Sequence, residues 1–217
     1  MKSFALAIAT VAMLASGASH AAPINSAADP ALVGAYIQDF EAGPSGNFVS
    51  QGFGGGVSIS ALSSADVGSP SFSVAGDFAG NYNTLGRLHI SNLGTQFQAL
   101  RFDFGSSISA LGFLFGASDS SWTLRAYNSS NALLDSLDIA PTFGSNAGDF
   151  FGLSGLAGAS YATLIQNFDG IYANGGVDYV FVDNLTFTAG NNVPEPGSLA
   201  LVALACLGVA AARRRKV

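Results

Sequence analysis

Three groups of residues in this chain have types and spacing that chemistry could use. Asp39 and Glu41 lie two apart, so on a strand their carboxylates share one side. Side by side they suit a cation better than a hydrolytic pair, whose acid and nucleophile face each other across a sugar bond. Asp183 is the second. A period of two through Tyr179–Phe187 puts Tyr179, Phe181, Asp183, Leu185 and Phe187 on one face, unless a bulge shifts the register. A carboxylate among four large apolar groups must be hydrogen-bonded, neutralised or on a metal. Backbone amides of a neighbouring strand, an arginine and calcium are the partners open to it. His89 is the third. Alternation sets it with Arg87 on the polar side of a strand, with Leu88 and Ile90 on the other. It is expected to be an ordinary surface residue, because a nucleophile needs a base beside it and no G-x-S-x-G turn occurs. Gly52–Gly56 lacks the Lys, the Ser/Thr and the helix of a phosphate loop. One cysteine, Cys206, and so few histidines leave a transition metal without soft ligands. No catalytic residue is assigned.

The elements that carry these residues read as strands. Leu100, Phe102 and Phe104 alternate with Arg101 and Asp103, the pattern of an antiparallel strand with one wet face. Leu111, Phe113 and Phe115 repeat it, and Trp122, Leu124 and Ala126 alternate with Thr123, Arg125 and Tyr127. Asn128-Ser129-Ser130-Asn131 is a hairpin loop into Leu133–Ile139. Tyr36–Phe40, Val57–Leu62, Phe72–Ala75, Gly86–Ser91, Tyr161–Gln166 and Tyr179–Thr188 complete nine or ten strands. Residues 43–56 and 63–83, outside that short strand, read as loop. Trp122, Phe102 and Phe113 are placed in the core. No helical period of useful length occurs outside the two ends. The expected fold is all-β, an antiparallel β-sandwich of jelly-roll-like layout. It is flanked by an N-terminal signal-peptide helix and a C-terminal transmembrane helix.

Composition agrees. Twelve of the 14 acids are Asp, and Lys2 and Lys216 are the only lysines, so turn formers abound and helix formers are scarce. Between the ends, Arg87, Arg101 and Arg125 face all 14 acids, a formal charge of −11. Such a domain repels nucleic acid and anionic lipid and attracts cations, calcium above all. Cys206 lies in the tail, which leaves the domain without a disulfide.

The ends carry the clearest signals. Lys2, the apolar run Phe4–Ala15 and small residues at Ser19, Ala21 and Ala22 form a secretory signal peptide, with signal peptidase expected to cut after Ala21. At the other end stand Val193, Pro194, Glu195 and Pro196, then an apolar run, then Arg213, Arg214, Arg215 and Lys216. Residues 197–212 as a helix reach roughly 24 Å at about 1.5 Å per residue, short for a permanent span. The cationic stop holds such a tail in the bilayer with its charges on the cytoplasmic side. Pro-Glu-Pro, apolar helix and Arg cluster in that order resemble the PEP-CTERM sorting signal of Gram-negative bacteria. The resemblance implies an exosortase that removes the tail near the motif, with the inner membrane a transient partner. The expected organisation is a signal peptide over 1–21, a linker or loose arm over 22–33, a sandwich over 34–190 and a sorting signal over 191–217.

Asp39-Phe40-Glu41, FDFGSSISALGFLFG and YVFVDNLTF resemble in layout the exported jelly-roll domains that precede such tails, and lectin-like sandwiches. In many lectin-like sandwiches a calcium ion ties the first strand to the last. That resemblance makes Glu41 and Asp183 the candidates for a structural calcium. The expected protein is non-catalytic and reaches the cell surface or extracellular matrix, associated with exopolysaccharide or biofilm. The alternatives are a secreted carbohydrate-active hydrolase and a simple membrane-anchored surface protein.

Overall fold

The computed structural model describes residues 21–64, 70–92, 97–167 and 178–190. Twelve strands among them form an antiparallel β-sandwich, jelly-roll-like as expected. They are β1 (Ala22–Ile24), β2 (Tyr36–Gln38), β3 (Gly46–Phe48), β4 (Ser50–Gly52), β5 (Val57–Ser64), β6 (Phe72–Ala75), β7 (His89–Ser91), β8 (Phe97–Gly116), β9 (Trp122–Asn128), β10 (Leu133–Ile139), β11 (Phe150–Gln166) and β12 (Phe181–Ala189). The helices expected at the two ends lie outside the described residues. Among the described residues no helix is long and apolar enough to cross a membrane.

Two long strands make both layers. The two alternating runs Leu100–Phe104 and Leu111–Phe115, expected as separate strands, are one 20-residue strand, β8. Its first half pairs with β5 and with Tyr161–Ile165 of β11. Its second half pairs with β12 and with Phe150–Ser154 of β11. The register of β11 shifts between Ser154 and Tyr161, where Gly155 and Gly158 take φ of 75° and 83°. Only glycine enters that region without steric cost, so the bend is written at these positions. The folded-over strand packs on itself: Phe102 and Phe113 meet at a ring separation of 5.9 Å. One layer runs β4-β5-β8-β11-β9-β10, and the other β1-β11-β8-β12-β7-β6-β3, with β2 also on β12.

The core lies between the layers. Trp122, Phe102, Phe113, Phe115, Leu100, Ile59 and Leu124 are fully buried. The alternation of β8 and β9 placed the first three there.

The second layer is also covered on its outer side. Ile24, Leu32, Ala110, Leu114 and Phe150 form a separate apolar cluster there. This corrects the expectation of a loose arm over 22–33. β1 pairs with β11, and Ile24 and Leu32 close over that face. Farther along, Phe78 and Tyr82 pack on Phe181, which meets His89 edge-on at 5.0 Å. His89 is therefore 0% exposed, not the surface residue that strand alternation suggested. Alternation reports a wet face only where no loop lies over it. Residues 43–56 likewise contain β3 and β4, which pair with β6 and β5 through short Gly-, Ser- and Asn-rich segments that carry no apolar alternation.

Candidate functional site

Asp39 and Glu41 do not share the strand that their spacing suggested, since β2 ends at Gln38. They sit in the following turn around Phe40, whose φ of 63° aims its ring into the core. The Glu41 N–H donates to Asp39 Oδ1 at 3.2 Å. Both acids line a shallow cleft with Ile37, Leu85, Gly86 and Asn184.

Asp183 is 1% exposed and sits beneath Leu85. Its strand, β12, is central and buried on both faces. Val182, Leu185 and Phe187 turn into the core, while Phe181, Asp183 and Thr186 lie on the outer side. Asp183 therefore does not share a face with Leu185 and Phe187, as the unbroken period of two suggested. A bulge follows Asp183: the register steps from Asp183↔Leu114 to Thr186↔Gly112, and Asn184 takes a φ of 46°. The carboxylate accepts from the Leu85 N–H at 2.6 Å and the Asn184 N–H at 2.7 Å. Glu41 accepts from the Arg87 N–H and, at 2.7 Å, the Leu88 N–H. The two acids singled out for calcium thus hold one segment, Leu85–Leu88, from two sides. Gly86 makes this possible: a Cβ there would lie 2.3 Å from Glu41 Oε1, and its φ is +64°.

These groups do not fit a calcium ion. The ion takes six to eight oxygens. Both Asp183 oxygens already receive an N–H, and Glu41 Oε1 receives two. Among the described residues no group of three or more His, Cys, Asp or Glu is arranged to hold a metal.

Electrostatics divides the two acids. Backbone hydrogen bonds from Leu88 and Arg87 hold Glu41 below the usual carboxylate range. Burial pushes Asp183 up to about 7 against the opposing N–H bonds, and Glu41 and Asp39 add repulsion. Below about 4 Asp183 is protonated folded or unfolded. Between that value and about 7 only the folded state keeps the proton, so stability falls as pH rises through this window. His89 acts oppositely. Burial lowers its pKa, so its contribution is lost as pH falls below about 6.5. The Asp77 backbone favours the protonated ring, but neither ring nitrogen has a well-formed hydrogen bond and desolvation dominates. The melting temperature of Asp183→Asn, taken relative to the wild type, should rise as pH goes from 4 to 7, because His89 is common to both chains. A difference that stays constant across this range would show that Asp183 does not titrate there.

Asp178 was not singled out by its sequence surroundings. It is 0% exposed and accepts from the Asp119 N–H at 2.7 Å, the Ser120 N–H at 3.1 Å, Ser120 Oγ at 2.6 Å and Trp122 Nε1 at 2.9 Å. Its own carbonyl accepts from Asn92 Nδ2. One carboxylate thereby ties the entry of β12 to the entry of β9.

The first layer, in contrast, leaves its outer face open. Arg101 chelates Asp103 with Nε at 2.9 and 2.8 Å and a terminal nitrogen at 2.6 Å. Its guanidinium lies 3.8 Å from the centre of the Tyr161 ring, which stacks on Tyr127 at 4.8 Å. Tyr161 donates to Asn131 Oδ1 at 3.1 Å.

Comparison with known proteins locates one signal firmly. The PEP-CTERM protein-sorting motif matches residues 192–216. That span contains Val193–Pro196 and Arg213–Lys216; all of it lies outside the described residues. The motif marks the chain as exported and processed by an exosortase to the cell surface or extracellular space. No curated protein matches the chain. Similar solved structures include CBM51-2 in complex with GlcNAc and INT domains from Clostridium perfringens ZmpB, at 8% identity and a TM-score of 0.32, over 66% of this chain and 30% of that one. TmCBM61 in complex with beta-1,4-galactotriose matches at 11% identity and 0.29, over 70% of this chain and 94% of that one. The enzymatically active domain of bacteriophage CBA120 tailspike protein 4 matches at 13% and 0.28, over 79% and 20%. Likeness at this level assigns neither ligand nor activity.

Proposed function

We propose that this protein is a non-catalytic component of the extracellular matrix, delivered through the inner membrane, released from its tail by exosortase and retained among exopolysaccharide. The observation that carries the reading is the sorting motif at residues 192–216 joined to a sandwich with one layer open to solvent. The acids with the strongest surroundings, Asp178, Asp183 and Glu41, spend their oxygens on the protein's own N–H and O–H groups. They serve as structural ties. The open face offers guanidinium, hydroxyl and tyrosine groups, the chemistry that meets a hydroxyl-rich polymer in water.

The test is retention. Washed cells that carry the tagged protein should hold it against salt-free buffer and release it when their polysaccharide is digested or its synthesis is blocked. Protein that stays with the membrane fraction under both treatments would favour a simple membrane anchor instead.

A further inference from the structure

The open face contains a continuous row across six strands. Register places Ser50, Ser60, Arg101, Thr163, Arg125 and Ser136 directly opposite one another from β4 to β10. No carboxylate belongs to the row. Adjacent strands stand about 4.8 Å apart, so the two arginines are separated by about 10 Å along it. They are two of the three arginines between the chain's ends, in a region that carries 14 acids.

Three details mark this row as a built site. Arg125 is exposed and forms no ion pair among the described residues. Arg101 is held rigid between Asp103 and the Tyr161 ring. Between them, Thr163 is only 7% exposed and its Oγ1 has no hydrogen-bond partner. A buried hydroxyl without a partner costs free energy, which a ligand oxygen would recover once the side chains that cover Oγ1 move aside. Among the described residues two acids share the face: Asp103 is paired with Arg101, and Asp138 accepts from Thr123 Oγ1 at 2.9 Å. Neither is paired with Arg125.

We infer that this row binds an acidic polysaccharide laid across the strands, with a sugar carboxylate on Arg125 and sugar hydroxyls beside Arg101 and Thr163. The inference rests on the matrix reading above and names its ligand class. Charge selects the occupant. The rest of a domain this acidic repels a polyanion, and this row sets Arg125, which has no ion pair among the described residues, beside a second guanidinium.

Polygalacturonate and the neutral polymer dextran are the probes, with the surface-released protein and its variants. The wild type should bind polygalacturonate in preference to dextran, more weakly as NaCl is added. Arg125→Ala should weaken binding about tenfold. Thr163→Val should weaken it by a smaller factor. Arg87→Ala, which removes the arginine outside the row, should leave it unchanged. Each variant is first shown to melt at the wild-type temperature. Equal binding of both polymers, unaffected by Arg125→Ala, would overturn the acidic ligand while leaving polysaccharide retention intact. Failure of the wild type to bind polygalacturonate would also overturn it, and the digestion experiment would separately decide the matrix reading.

Discussion

Asp178→Ala should destabilise the domain by about 3–5 kcal/mol, because it leaves several buried donors without their acceptor. The substitution takes the acceptor from two backbone N–H groups, the Ser120 hydroxyl and the Trp122 indole at once. Each buried donor left without its acceptor costs on the order of 1–3 kcal/mol, partly recovered if water enters. Asp178→Asn keeps one acceptor oxygen but turns an NH₂ toward donors, so it should fall between alanine and wild type. Urea unfolding with a shared slope measures both. A loss under about 1 kcal/mol for alanine would mean that the four bonds do not tie β9 to β12.

The second large effect belongs to Phe102. Its ring is 0% exposed and meets Phe113 across the fold in β8. Truncation to alanine should cost about 3–5 kcal/mol through lost burial and the cavity left behind. Arg101→Ala, one residue away on the open face, loses a half-exposed ion pair and a ring contact, about 1 kcal/mol. Equal effects from the two substitutions would contradict the two-sided reading of β8.

What the sequence made legible follows from what covers each strand. β9 and β10 stand in the layer with one wet face, and their alternation and hairpin were read within one or two residues. The inward side of β8 was equally plain. Its continuity was not, because Gly105-Ser106-Ser107 at the bend looks like any turn. In the other layer the outer side is closed by the N-terminal arm and by Phe78 and Tyr82. His89 was misjudged for that reason, and β12 proved buried on both faces. β1, β3 and β4 are three residues long and poor in apolar alternation, so only their partners define them.

The candidate site was legible in part. Asp183 stood out because a charge among aromatic residues demands an explanation. Its partner, the Leu85 amide, lies 98 residues away, and no local pattern could name it. Asp178 and Trp122 are separated by 56 residues and show the same difficulty. The arginine row had a signal that could have been found. Arg101 and Arg125 both alternate outward on strands whose inward sides were correctly read.

The sorting signal needs no fold to be read: it marks the chain as exported and processed by an exosortase, and the central claim proposed with it is that the mature protein has lost both ends. Intact-mass measurement of protein released from the cell surface tests this most directly. The mass should correspond to a chain that begins at Ala22 and ends within Val193–Pro196. A surface protein that still carries Arg213–Lys216 would contradict the account.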